Sequence, residues 1–239
     1  MADDLYENPP ILAEPSPIIP ASTVVLARDG DRGVEILLVR RVGRGNFAGF
    51  SVFPGGRVDP EDFQPAAPDD DFAAARRAAV REAAEEVNLH INEHELVALS
   101  HWTPPPFEMK RFGTWFFVAP TVPGEIAMSE GELNQFDWIS PSDAIARHAE
   151  GAVTMAPPTW ITLHDLQGFT SVDSMLDALR EREAFRFLTW PIRRQPLVLS
   201  WANDIHHLAP LEDIELDADG SRHRLHMNDD GWVYERSGW

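Results

Sequence analysis

The chain has 239 residues, 44% of them hydrophobic and 25% charged, enough for one sizeable core and a smaller appendage. With 39 acidic against 20 basic residues the formal charge is −19, which argues against nonspecific binding to nucleic acid or to an anionic membrane. No cysteine means no disulfide or thiol chemistry, and the lack of a basic-then-apolar leader or a long apolar run leads us to expect a cytoplasmic protein.

Residues 1–20 are proline-rich and acidic and read as an extended arm. Residues 22–27 and 35–41 read as strands around an Asp29-Gly30-Asp31 turn. The loop 43–49 leads into a third strand at 51–53. Its glycines do not stand at a strand-to-helix junction, so a dinucleotide-binding fingerprint is not supported. Arg40, Arg44 and Phe47 are candidates to line a substrate mouth, the plain alternative being a flexible hairpin loop. The run Phe53-Pro54-Gly55-Gly56-Arg57 reads as a strand ending in a tight glycine turn, where backbone carbonyls can approach a metal with no side chain in the way.

A helix is expected from near Asp70 or Asp71, ending at Asn88, a residue that accepts the left-handed conformation of a helix C-terminus. At about 100° per residue, Glu82, Glu85 and Glu86 gather on one side, opposite Val80, Ala83, Ala84 and Val87. Like charges at such spacings cost a few tenths of a kcal/mol per pair unless something positive sits among them. A hard divalent cation is the simplest candidate: Mg2+, or Mn2+ in its place, prefers oxygen ligands and suits carboxylates beside a bound phosphate. A solvated acidic helix face is the plain alternative.

Further on, residues 95–102 and the aromatic run 111–119 read as strands, with Arg111 a candidate phosphate contact. Ser140 or Ser142 is placed to cap a helix starting near Pro141. The Pro157-Pro158 step runs into another helix, and residues 171–180 form a last capped one. From about Phe187 the pattern changes to short strands at 197–201, 213–216, 222–226 and 232–235, expected to serve packing or dimerisation. His206, His207, His223 and His226 do not make a zinc site on this pattern, because adjacent strand residues and residues three apart face opposite sides.

Gly56 and the run from Arg81 to Leu89 resemble the signature of the Nudix hydrolases: Gly, five residues, Glu, seven residues, then Arg-Glu-apolar-x-Glu-Glu-x-Gly-apolar. Three departures stand out. Asp62 replaces the first Glu, 18 residues rather than seven separate it from Arg81, and Asn88 replaces the last glycine. Ala83 is a small version of the apolar position. The Trp138-x-x-Pro141-x-x-Ala144 step also looks Nudix-like. The long insertion, the Pro157-Pro158 step and Arg111-Phe112 are together similar to the mammalian peroxisomal coenzyme A diphosphatase branch and its bacterial relatives, over roughly residues 20–180.

The resemblance implies an α/β fold, a Nudix-type α/β/α sandwich around a mixed β-sheet with a small C-terminal β appendage, divided as 1–20, 21–185 and 186–239. It implies Mg2+-dependent hydrolysis of a phosphoanhydride in a nucleoside diphosphate derivative, with coenzyme A or acyl-coenzyme A favoured over NADH or ADP-ribose. It places the metal on Glu82, Glu85, Glu86 and a backbone carbonyl of Gly55 or Gly56. The general base would be Glu82 or a loop acid, Glu132 ahead of Glu130, and Arg81 would orient Glu85. Rival readings are a noncatalytic nucleotide sensor and a structural protein without cation affinity at this helix.

Overall fold

The computed structural model describes residues 16–42, 48–65, 67, 69–121, 125–128, 133–209 and 214–237. It resolves into two compact units. One comprises Ile19–His101 and Thr114–Phe185, the other Met1–Ile18, Trp102–Gly113 and Arg186–Trp239.

The first unit is built on a mixed sheet. Strands β1 (Ile18–Gly30) and β2 (Gly33–Arg41) form an antiparallel hairpin closed at the Gly30 and Gly33 pair. Beyond them come β3 (Ser51–Val52), β4 (Gly55–Arg57), β5 (Val97–Thr103), β6 (Arg111–Pro120) and β7 (Leu133–Ile139). The order runs β3-β2-β1-β6-β5, with β4 on β1 and β7 on β2. Four consecutive residues of β1, Val24 to Ala27, are fully buried, so both faces of the sheet are covered and the strand reads as a continuous apolar run rather than an alternation.

Helix α1 (Asp71–Val87) covers one face. Its Ala75, Ala79, Ala83 and Val87 pack on Val24 and Leu26 of β1, Leu37 and Val39 of β2, and Phe117 and Ala119 of β6. The Asp70 carboxylate caps the helix by accepting from Ala73 N at 2.9 Å. Asn88 closes it in the left-handed region at φ 57°, and the following Leu89 N–H returns to Ala83 O while its side chain enters the core. Helices α2 (Pro141–Ala149), α3 (Pro157–Asp165) and α4 (Val172–Arg180) complete the unit. Ser140 caps α2 and Ser171 caps α4, each accepting a backbone N–H three residues on. No helix among the described residues is long and apolar enough to cross a membrane.

In the second unit β9 (Trp190–Arg194), β10 (Leu197–Ser200), β11 (His223–Asn228) and β12 (Gly231–Arg236) form an antiparallel sheet in the order β12-β11-β10-β9. Trp102 stacks on Phe187 of β8 (Phe185–Leu188) with ring centroids 3.9 Å apart, and Trp201 meets both rings edge-on. Inside this unit Arg224 and Asp204 form a buried two-pronged ion pair, with both contacts at 2.6 Å.

Three expectations need correction. Gly55 and Gly56 do not make a tight turn: they lie in β4, paired with Thr23 and Ser22 of β1. The strand expected at 213–216 does not form over Ile214–Leu216, and Asp213 lies outside the described residues. Strands β8 and β9 were not expected at all. Pro191 is tolerated in β9 because β9 is an edge of its sheet, where the missing N–H costs no ladder bond.

Candidate active site

The C-terminal half of α1 meets β4, and the residues there converge. Gly55 and Gly56 are needed for close approach. A Cβ at Gly55 would stand 2.7 Å from Thr23 Cα, and one at Gly56 would run into the Glu82 carboxylate. Glu86 is 3% exposed, so it belongs to the inner side of the helix rather than to a solvent face. Its carboxylate accepts from Gly55 N at 2.9 Å and from Arg41 Nη2 at 3.0 Å. The same Arg41 nitrogen also donates to Gly55 O at 2.7 Å.

The other two acids share Arg81. Its Nη1 donates to Glu82 at 2.9 Å and to Glu85 at 3.1 Å. Its Nη2 reaches Asp62 Oδ2 at 3.0 Å and Arg57 O at 2.9 Å, and its Nε reaches Asp62 Oδ1 at 3.3 Å. Asp62 is buried at the end of a 3-10 turn, Pro60–Asp62, and its backbone carbonyl accepts from Arg77, one turn before Arg81 on α1. The 11 residues inserted after Asp62 in the sequence therefore leave its carboxylate on Arg81.

The positive charge among the acids is thus supplied within the chain by two guanidinium groups, and the three glutamates divide between them. Among the described residues no group of three His, Cys, Asp or Glu side chains is arranged to hold a metal ion. Burial raises the pKa of the half-buried Glu82, against the pull of Arg81. The pKa of Arg81 rises in turn, chiefly through its hydrogen bond to Asp62. The donor set is nonetheless one of hard oxygens, with a carboxylate set against a glycine that leaves the backbone open, and this fits a divalent cation.

Arg40 is exposed and paired in the sheet with Ser51 and Gln135. Arg41, not singled out from sequence, is the β2 arginine that reaches the carboxylates, at Glu86. The signal was available: Leu37 and Val39 face α1, and Arg41 continues their alternation. Arg111 belongs to the second unit, where its guanidinium donates to Pro104 O and Ser16 O and is 8% exposed. Arg44, Phe47, Glu130 and Glu132 lie outside the described residues.

A model of the NUDIX domain matches residues 18–158. Peroxisomal coenzyme A diphosphatase ndx-8 of Caenorhabditis elegans is 34% identical over 122 residues, 48% of this chain and 46% of the relative, so the match spans under half of that protein. The crystal structure of a NUDIX hydrolase from Alicyclobacillus acidocaldarius superposes with a TM-score of 0.61 at 24% identity, covering 70% of this chain and 99% of its own, a likeness of fold.

Proposed function

The chain belongs to the Nudix family, and from there we propose that it hydrolyses, with Mg2+, the phosphoanhydride of a nucleoside diphosphate linked to a second group, coenzyme A or acyl-coenzyme A being the favoured substrate. The observation that carries this reading is the Glu82 carboxylate lying against the bare backbone of Gly56, beside a Glu86 held by Gly55 N–H. The similarity to a coenzyme A diphosphatase supports the substrate class.

Family members in general use divalent metals, and here Glu82, Glu85, Glu86 and a carbonyl of Gly55 or Gly56 would hold the ion. Bound there, Mg2+ offsets diphosphate charge and lowers the pKa of water. The rest of the work falls to side chains of this chain. Burial makes Glu82 more basic than an ordinary carboxylate, which suits it to accept a proton from water. Arg81, itself anchored on Asp62, fixes the Glu82 and Glu85 carboxylates and acts as a positioning residue. Arg41 neutralises Glu86 and braces Gly55 O, and is the guanidinium best placed to turn toward an incoming phosphate. Arg111 is left out of the substrate site because its donors are engaged with backbone carbonyls.

Incubation with Mg2+ and, separately, coenzyme A, acetyl-coenzyme A, NADH and ADP-ribose, with products identified by mass spectrometry, tests the reading. Adenosine 3′,5′-bisphosphate and a phosphopantetheine product are expected from coenzyme A. Turnover of ADP-ribose or NADH alone would move the substrate class, and binding without turnover of any would mark a sensor. Gly56→Ala supplies a sharper check. The added methyl displaces only the flexible end of Glu82, so the fold should survive with its thermal midpoint little changed. Turnover should fall by about 10²-fold, as expected for a reacting group moved by about 1 Å.

A further inference from the structure

Ser22 is fully buried, and its Oγ has no hydrogen-bond partner. Such hydroxyls are rare in folded proteins, and the usual resolution is an ordered water. The surroundings of Ser22 say where that water would stand. Ser22 continues the alternation of Val24 and Leu26, which pack on α1, so its side chain faces the helix. It is paired directly with Gly56 across the antiparallel β1 and β4 strands. Side chains directly opposed in this way share a face, with Cβ positions about 4.5–5.5 Å apart. The Cβ that Gly56 lacks would run into the Glu82 carboxylate. The unpartnered hydroxyl, the space left by the glycine and the carboxylate are therefore neighbours on one face. At a core-facing strand position between apolar neighbours, an apolar side chain would serve the fold better than a serine.

We propose that Ser22 is a positioning residue for Glu82, its hydroxyl donating to one ordered water that in turn donates to the Glu82 carboxylate. Arg81 holds Glu82 Oε1 from along the helix, and the water would hold the carboxylate from the strand, so that its rotamer is fixed by two partners. The consequence for turnover rests on the function proposed above. The hydrogen-bond bridge itself does not.

Ser22→Ala is close to isosteric and keeps the fold. A double-mutant cycle with Glu82→Ala, which removes the accepting oxygens, read from urea midpoints without metal or substrate, is expected to be non-additive. In kinetics with Mg2+ and whichever of coenzyme A or ADP-ribose is turned over, Ser22→Ala is expected to lower kcat about 10-fold with KM unchanged. A hydroxyl without a bridge predicts the opposite: a raised or unchanged midpoint, an additive cycle and unaltered kcat, and either of the last two overturns the proposal. If Glu82→Gln and Glu86→Gln both retain full turnover, the proposed reaction centre is wrong, and the stability cycle still decides the Ser22 bridge.

Discussion

Asp204→Ala is expected to cost about 3–5 kcal/mol of folding stability, because it leaves the Arg224 guanidinium buried and uncompensated. In the intact protein the two side chains meet through two hydrogen bonds of 2.6 Å, and Asp204 also accepts the N–H groups of His206 and His223 at 2.9 and 3.0 Å. One carboxylate thus ties the 201–207 loop to β11. Replacing both partners by apolar residues of similar volume is expected to recover much of the loss, since the pair's desolvation cost disappears with it. The pH dependence follows from the same contacts. Burial alone would raise the Asp204 pKa, but the hydrogen bonds from Arg224, His223 N and His206 N outweigh it and hold the group below its ordinary 3.8. A depressed folded value gives stability that is present above the ordinary pKa and lost as pH falls through the folded one. Urea midpoints of wild type and Asp204→Ala should therefore stay apart from pH 8 to 5, the gap widening slightly at the acid end because the variant also loses the Asp204 charge that favours His207 protonation, and converge only below about pH 4. A gap that closes near neutrality would refute the assignment.

Glu82→Gln is expected to lower kcat by about 10²–10⁴-fold, the usual cost of losing a general base, with little change in stability. Glutamine keeps the shape and still accepts from Arg81, so the change is one of charge and basicity alone. The three acids should not respond equally. Glu86 is buried between Gly55 N–H and Arg41, so Glu86→Gln should approach Glu82→Gln in effect while also loosening Arg41. The Glu85 side chain is 59% exposed and held only by Arg81 among the contacts described, so Glu85→Gln should cost least. Steady-state kinetics of the three variants on one substrate reads this order directly. Equal losses would mean that burial does not grade the site.

The sequence reveals the parts of this protein that depend on local chemistry. Asp70, Asn88, Ser140 and Ser171 mark helix ends because each satisfies backbone groups within four residues of itself. The run of apolar residues in β1 and β2 marks buried strands for the same reason. What distance separates is harder to read. Asp62 finds Arg81 across 19 positions, and nothing local distinguishes that pairing from a lost signature residue. The acids at 82, 85 and 86 suggest one cluster on a helical wheel, yet Arg41 and Arg81 split them, since charges contributed by β2 do not appear in the helix's own periodicity. Gly55-Gly56 reads as a turn by composition, but the glycines serve close packing of β4 against β1 and α1. The pairing of Asp204 with Arg224 likewise has no local signature.

The binding of a divalent cation by these acids, with Arg81 holding Glu82 and Glu85 in place, is the claim on which the functional account turns. Titrating Mn2+ into the metal-free protein by calorimetry, against the combined Glu82→Gln, Glu85→Gln and Glu86→Gln variant, measures it without any substrate. Saturable binding to the wild type that disappears in the folded variant is the predicted result. Equal binding to both proteins, or none to either, would contradict it.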